Sequence, residues 1–135
     1  MCIRDSYEND DYGFEIGKAV TINEGTDITV IACGVAVYHA AEAAKLLRDQ
    51  DGISVRVLDV HTIKPIDEET IMAAVKETRR ILVVEEHNVI GGLGSAVADV
   101  IAASGKGCAF AKSGLPDCYS AVSYTHLTLP TILRV

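Results

Sequence analysis

Three β-rich segments, each leading over a short loop into a helix-like segment, constrain this chain more than any other feature. Ile28 to Ala32 is apolar and β-branched, bounded by Gly25-Thr-Asp27 and Gly34, and reads as a short buried strand. From Val35 to Gln50 alanine dominates, apolar Val35, Tyr38, Ala41, Ala44 and Leu47 recur at three-residue steps, and Asp51-Gly52 supplies a stop, so a helix is predicted. Ile53 to Val60 predicts a second strand; Asp67 can cap a helix carrying Ile71, Met72 and Val75 to about Thr78. Arg80 to Val84 predicts a third strand, followed by Gly91-Gly-Leu-Gly-Ser95 and a helix from about Ser95 to Ala103. Cys108 to Lys112 is a weaker fourth strand, and Phe14 to Ile22 adds an edge strand ahead of the first. Strands and helices alternating over short loops mean a parallel sheet with crossovers on both faces, an α/β three-layer α/β/α sandwich.

The 135 residues suffice for one domain with its own apolar core, so the four cysteines are not needed as a framework. Cys2, Cys33, Cys108 and Cys118 form no CxxC pair or zinc spacing and are expected as free thiols in a cytoplasmic protein. A net charge of -7 argues against a nucleic-acid surface, and no apolar run is long enough for a membrane span.

Both ends carry a signature that belongs to DNA rather than to protein. Met1-Cys-Ile-Arg-Asp-Ser6 can be encoded by ATG TGT ATA AGA GAC AGC, whose reverse complement encodes Ala-Val-Ser-Tyr-Thr-His, the residues at Ala121 to His126. The nucleotides resemble a transposon end used in sequencing-library preparation, and Leu127 to Thr131 resembles read-through into an adapter. Residues 1–6 and 121–135 are therefore expected to be adapter translation, flanking a biological segment at 7–120. Without Arg4, Arg134 and Asp5, 10 bases face 18 acids and the net charge is -8.

Several residues could carry chemistry. Gly91 to Ser95 lies between a strand and a helix, where free N–H groups and the helix dipole favour an anion. It matches neither a dinucleotide fingerprint, since Val97 stands where Gly or Ala is required, nor a P-loop, so a tight turn and close packing are the simpler role for Gly91, Gly92 and Gly94. The failed fingerprint also disfavours a free-standing NAD enzyme. Glu85-Glu86-His87 ends the third strand on the side where open α/β sheets bind ligands. Alternation puts only Glu85 and His87 on one face, and a hydrogen-bonded interface pair is expected there rather than a catalytic one. Asp59, His61 and Lys64 gather at the end of the second strand, where Lys64-Pro65 mainly fixes a turn. Cys33 reads as a small buried hydrophobe and His39 as a solvated or interface imidazole; the acidic run Glu8 to Asp11 reads as solvated.

The succession Phe14-Glu-Ile-Gly-Lys-Ala-Val20, Gly25 to Ala32, His61-Thr-Ile-Lys-Pro-Ile-Asp67, Val84-Glu-Glu-His87 and Gly91-Gly-Leu-Gly-Ser-Ala-Val97 closely resembles the C-terminal domain of transketolases. The order and spacing hold through Gly114-Leu-Pro-Asp117, and Thr-Ile-Lys-Pro with Glu-Glu-His is most like the separate C-terminal subunit of split transketolases. Related domains close 1-deoxyxylulose-5-phosphate synthase and the β-subunits of 2-oxo-acid dehydrogenases. The resemblance implies a mostly parallel five-stranded sheet with one antiparallel edge strand. It also implies two-carbon ketol transfer between sugar phosphates, as in the pentose phosphate pathway, in a dimeric enzyme using thiamine diphosphate and a divalent metal such as Mg. The residues that hold that cofactor lie in preceding domains or on an N-terminal subunit, so the resemblance implies no catalytic, cofactor or metal residue here. His61, Glu85, Glu86, His87, Gly91, Gly92 and Gly94 are carried over as scaffold or interface. The family also continues beyond this point into a closing segment; losing about 300 Å² of burial would forfeit roughly 7 kcal/mol. An inactive, marginally stable fragment is expected, with a bound anionic effector at the glycine loop as the rival reading.

One continuous sequencing read across the parent locus tests the terminal assignment. The expected result is a frame that crosses both junctions into different codons, with a thiamine-binding domain or subunit upstream; genomic codons for Met1 to Ser6 and Ala121 to Val135 would refute it.

Overall fold

A computed structural model describes residues 13–118. The terminal segments assigned above to adapter sequence, Cys2 and the acidic run at 8–11 lie outside these residues. Five strands and three helices follow in the order β1 (Val20–Asn23), β2 (Ile28–Ala32), α1 (Val35–Asp51), β3 (Val55–Asp59), α2 (Glu68–Glu77), β4 (Arg80–Asn88), α3 (Leu93–Ala103) and β5 (Ala109–Leu115). They form one sheet in the order β1-β3-β2-β4-β5, with β1 antiparallel to β3 and every other neighbouring pair parallel. The predicted α/β architecture with a single antiparallel edge strand is thus the observed one.

The strand order dictates where the helices go. From β2 the chain steps one way to β3, then crosses back over β2 to β4 and continues outward to β5. Crossovers of one hand require that reversal to put α1 on one face and α2 and α3 on the other. The core divides accordingly. Val30, Ala32, Val55 and Val57 pack with Ala36, Ala40 and Ala44 of α1. Ile31, Leu58, Ile81 and Val83 pack with Ile71, Ala74 and Val75 of α2 and with Leu93, Val97 and Ile101 of α3.

The buried face of α1 corrects the predicted one. Val35, Tyr38 and Leu47 are exposed, and the inward stripe is Ala36, Ala40 and Ala44. A three-residue step slips about 60° per repeat on a helix and cannot keep one face, whereas a four-residue step slips about 40° the other way. The helix ends as predicted, on Gly52 in the left-handed conformation (φ 69°), whose N–H bonds to the Arg48 carbonyl.

Strand boundaries differ in β1, β4 and β5. β1 is shorter than the predicted Phe14–Ile22 segment, and β4 runs four residues past Val84, with a register irregularity between Val84 and Asn88. β5 extends to Leu115 and is exposed along nearly its whole length. The Lys64–Pro65 peptide is cis, within the turn predicted there.

Asp67 ties the edge strand to α2. It is 4% exposed, accepts from the Thr70 N–H at 3.1 Å and the Thr70 hydroxyl at 2.8 Å, and also accepts from the Ala19 N–H at 2.9 Å. Burial works against ionisation of this carboxyl, but the bonds from Ala19 and Thr70, with Lys18 nearby, outweigh it and hold the group below the usual carboxylate range. A lowered folded value stabilises the fold above the unfolded pKa of about 3.9, and that stabilisation is lost as pH falls through the folded value. Asp67→Ala is expected to cost about 1–2 kcal/mol in urea unfolding at neutral pH. The gap between wild type and Asp67→Ala should be constant above about pH 5 and shrink in more acidic buffer; a gap that widened on acidification would contradict the assignment.

Candidate functional site

Chain direction across the sheet reverses between β2 and β4, and the carboxyl ends of those strands form the crevice where open α/β sheets usually bind ligands. Cys33 follows β2 there, Asp59 ends β3, and Glu85 lies near the end of β4, facing the Gly91–Gly94 turn. The edge is therefore rich in groups that could act on a ligand, and the geometry shows what each does.

Glu85 occupies the anion seat itself. It lies on the same face as Ile81 and Val83, is 5% exposed, and accepts from the N–H of Leu93 at 2.7 Å and of Gly94 at 3.1 Å. These are first-turn donors of α3, which has no partner among its own carbonyls to offer them. The attraction predicted for an outside anion is thus satisfied by the chain's own carboxylate.

Three glycines make room for it. A Cβ on Gly92 would collide with the Glu85 carboxylate. One on Gly94 would lie 2.9 Å from Cγ of Lys112, which crosses the first turn of α3 and donates from Nζ to the Val89 carbonyl at 2.7 Å. One on Gly114 would lie 2.8 Å from the His87 carbonyl oxygen. The turn is closed on itself: Gly91 N–H donates to Ser95 Oγ, Ile90 N–H to Asn88 Oδ1, and Asn88 Nδ2 to Asp117 Oδ1.

Glu85 and His87 do not form the expected pair. His87 is exposed with Nδ1 3.2 Å from the Asn88 carbonyl, while Glu85 is drawn inward because a helix terminus offers two N–H donors. Glu86, His87 and Ile90 remain as an exposed rim on this hydrogen-bonded turn.

The groups at the end of β3 also turn inward. Asp59 is 7% exposed with Oδ1 lacking a hydrogen-bond partner; burial raises its carboxyl above the ordinary value, and His61 draws it part of the way back. His61 is half-buried, stacks 4.4 Å from Phe14, and has no hydrogen-bond partner on either ring nitrogen among the described residues. Lys64 is exposed in the following turn. Burial pushes the Cys33 thiol up, and Glu85, Asp59 and Glu86 add to the shift, so the thiolate that nucleophilic chemistry needs is disfavoured. Cys33, Cys108 and Cys118 are free, and His39 is exposed with its ring edge-on to Tyr38. Among the described residues no three His, Cys, Asp or Glu side chains gather to hold a metal ion.

A sequence profile of the family described as "Transketolase, C-terminal domain" matches residues 17–134. The chain belongs to the transketolase C-terminal domain family. It is 52% identical over 99 residues to one of the subunits of an apulose-4-phosphate transketolase from Phocaeicola vulgatus, covering 73% of this chain and 31% of that one. It is 40% identical over 104 residues to "1-deoxy-D-xylulose-5-phosphate synthase" of Heliobacterium modesticaldum, covering 77% of this chain and 16% of that enzyme. Among solved structures, "Split gene transketolase, inactive beta4 tetramer" superposes with a TM-score of 0.77 at 39% identity, over 83% of this chain and 37% of that one. The chain thus spans about a third or less of the length of the proteins it matches.

Sequence reasoning singled out Glu85 and the glycine loop but missed their joint purpose, and it gave no part in it to Lys112, Asn88 or the Ser95 hydroxyl. The signal was present in the period-two burial of Ile81, Val83 and Glu85, which places a carboxyl inside and obliges it to find donors.

Glu85→Ala leaves two buried N–H groups unpaired and is expected to cost about 2–4 kcal/mol in denaturant unfolding. Gly92→Ala should cost a similar amount by displacing the carboxylate, and the double variant should lose much less than the sum, because both changes remove the same bonds. Additive losses would show that Gly92 serves another contact.

Proposed function

We propose that this chain is the C-terminal part of a thiamine-diphosphate-dependent transketolase, of the split kind in which the cofactor-binding domains lie on a separate subunit. In this reading it performs no chemistry. It docks on the thiamine-binding part and helps build the homodimeric assembly, while the complete enzyme transfers a two-carbon ketol unit between sugar phosphates in the cytoplasm. The observation that carries the reading is the likeness to chains that are themselves parts of divided enzymes, one named as a subunit of an apulose-4-phosphate transketolase and one a β4 assembly of a split-gene transketolase.

The described residues fit a supporting role better than a catalytic one. The glycine turn is filled by Glu85, and the thiol is shifted away from reactivity. Thiamine diphosphate with its Mg ion would supply the carbanion chemistry of the complete enzyme, and no step of it is assigned to a residue of this chain. What the fold does offer is an edge on which Glu86, His87 and Ile90 are exposed. The rival reading, an effector bound at the glycine turn, would require an anion to displace a carboxylate that already has both donors.

The test is reconstitution. The chain alone should show no ketol transfer from a ketose phosphate, and activity should appear when it is combined with the thiamine-binding subunit from its own locus. Transfer by the chain alone would overturn the non-catalytic role. Activity of the assembly only with pyruvate as donor would move it to the synthase or dehydrogenase branch of the family.

A further inference from the structure

The opposite edge of the sheet holds an arrangement that the transketolase reading does not use. α2 and α3 both end there, and between the C-terminus of α2 and the Gly105-Lys-Gly107 turn after α3 lies a cleft of about 410 Å³. Val75 forms its floor, and Lys76, Arg79, Lys106 and Gly107 line the rest. No carboxylate among the described residues lines it. Among the described residues the side chains of Lys76, Arg79 and Lys106 make no ion pair or hydrogen bond, although the chain carries a net charge of -7.

Helix C-termini attract cations, and that alone could account for one lysine per helix. The magnitudes leave an excess. Two helix ends present about one negative charge between them, against three full positive charges. Arg79 adds an independent observation: its φ is 56°, the one non-glycine residue in the left-handed region among those described. This is the position after the α2 cap where glycine is the usual occupant, because a Cβ is penalised there. The Arg79 carbonyl accepts from the Ala109 N–H at 3.0 Å, so the backbone is pinned at the mouth of the cleft.

We propose that this cleft is a binding site for a small phosphate-bearing anion, which Arg79 grips with its two-pronged guanidinium while Lys76 and Lys106 neutralise the remaining oxygens. A planar fork suits phosphate oxygens in pairs, and lysines serve as point charges beside it. The cleft volume falls in the usual range for small-molecule sites. The repulsive field of the rest of the chain is screened beyond about 8–10 Å at ordinary salt, so the three local cations decide the potential in the cleft. This proposal stands apart from the ketol-transfer reading and does not depend on it.

Inorganic pyrophosphate is the probe, titrated into the full chain by calorimetry and followed by amide NMR shifts. Arg79→Gly is the informative variant, because glycine relaxes the left-handed backbone and the fold should melt no lower than wild type while the guanidinium is gone. Binding to wild type and to Lys45→Gln, a change on exposed α1, should be equal; Arg79→Gly should bind about tenfold more weakly, and Arg79→Gly with Lys106→Gln should not bind measurably. The shifted amides should include Lys106 and Gly107. The proposal is overturned if pyrophosphate gives neither heat nor shifts, if Lys45→Gln weakens it as much as Arg79→Gly, or if the shifts fall on Gly91 to Gly94 instead. An acidic segment of a partner subunit as the true occupant would appear as no pyrophosphate binding together with weaker subunit association in Arg79→Gly, and that result also overturns it.

Discussion

A single buried carboxylate organises the carboxyl edge of the sheet. Glu85 ends a run of inward-facing residues on β4, and leaving it without donors there would cost several kcal/mol. The first turn of α3 supplies two N–H groups that equally need an acceptor. Each resolves the other's deficit only if the helix comes very close to the strand, and that closeness is what Gly92 and Gly94 permit. Once α3 is held against β4, Lys112 can reach over it to the Val89 carbonyl, and Gly114 can lie against the backbone at Glu85 and His87. The register of β5 along β4 is thus coupled to the same contact that starts α3. A turn held by this many bonds leaves Glu86, His87 and Ile90 as exposed residues of this edge.

The two faces of the sheet are packed by different means, and the strand order explains why. α1 serves the step from β2 to β3 and covers its face alone, so it approaches through alanines. α2 and α3 share the other face and fill the wider space between them with Ile71, Leu93, Val97 and Ile101. Small residues inward on α1 leave its larger ones, Val35, Tyr38 and Leu46, on the outside.

Much of this was legible in the sequence, and the failures have physical causes. Element order, the parallel sheet and the caps at Gly52 and Asp67 are local or nearly so: a glycine after a helical run and an aspartate three residues before Thr70 announce themselves. The inward face of α1 was misread because alanine is apolar enough to bury but gives little contrast with its neighbours, whereas Val35, Tyr38 and Leu47 draw the eye to a spacing that no helical face can follow. Antiparallel β1 came from resemblance, since four residues carry almost no pattern of their own. The Glu85 seat joins residues eight and nine apart through a turn, and the tie from Ala19 to Asp67 spans 48 positions. Neither separation matches a helical or strand period.

The two ends of the strands differ in how far their charged groups are paired. At the carboxyl edge, where helix N-termini make the backbone positive, the chain supplies acids: Glu85 within the turn, and Asp59 and Glu86 beside Cys33. At the amino edge, α1 and α2 end in acidic Asp49, Asp51 and Glu77, but Lys76, Arg79 and Lys106 gather round one cleft. Each set opposes the local dipole, but they differ in completion. Glu85 is buried and holds two hydrogen bonds, so the anion seat at the start of α3 is filled. The three cations are exposed, exceed the helix-end charge they face, and make no bonds among the described residues. A net-negative chain repels anions at long range, but at contact distance the local groups dominate. Recognition of an anion by this fold is therefore directed to the edge opposite the glycine turn, where positive charge is still available to a ligand.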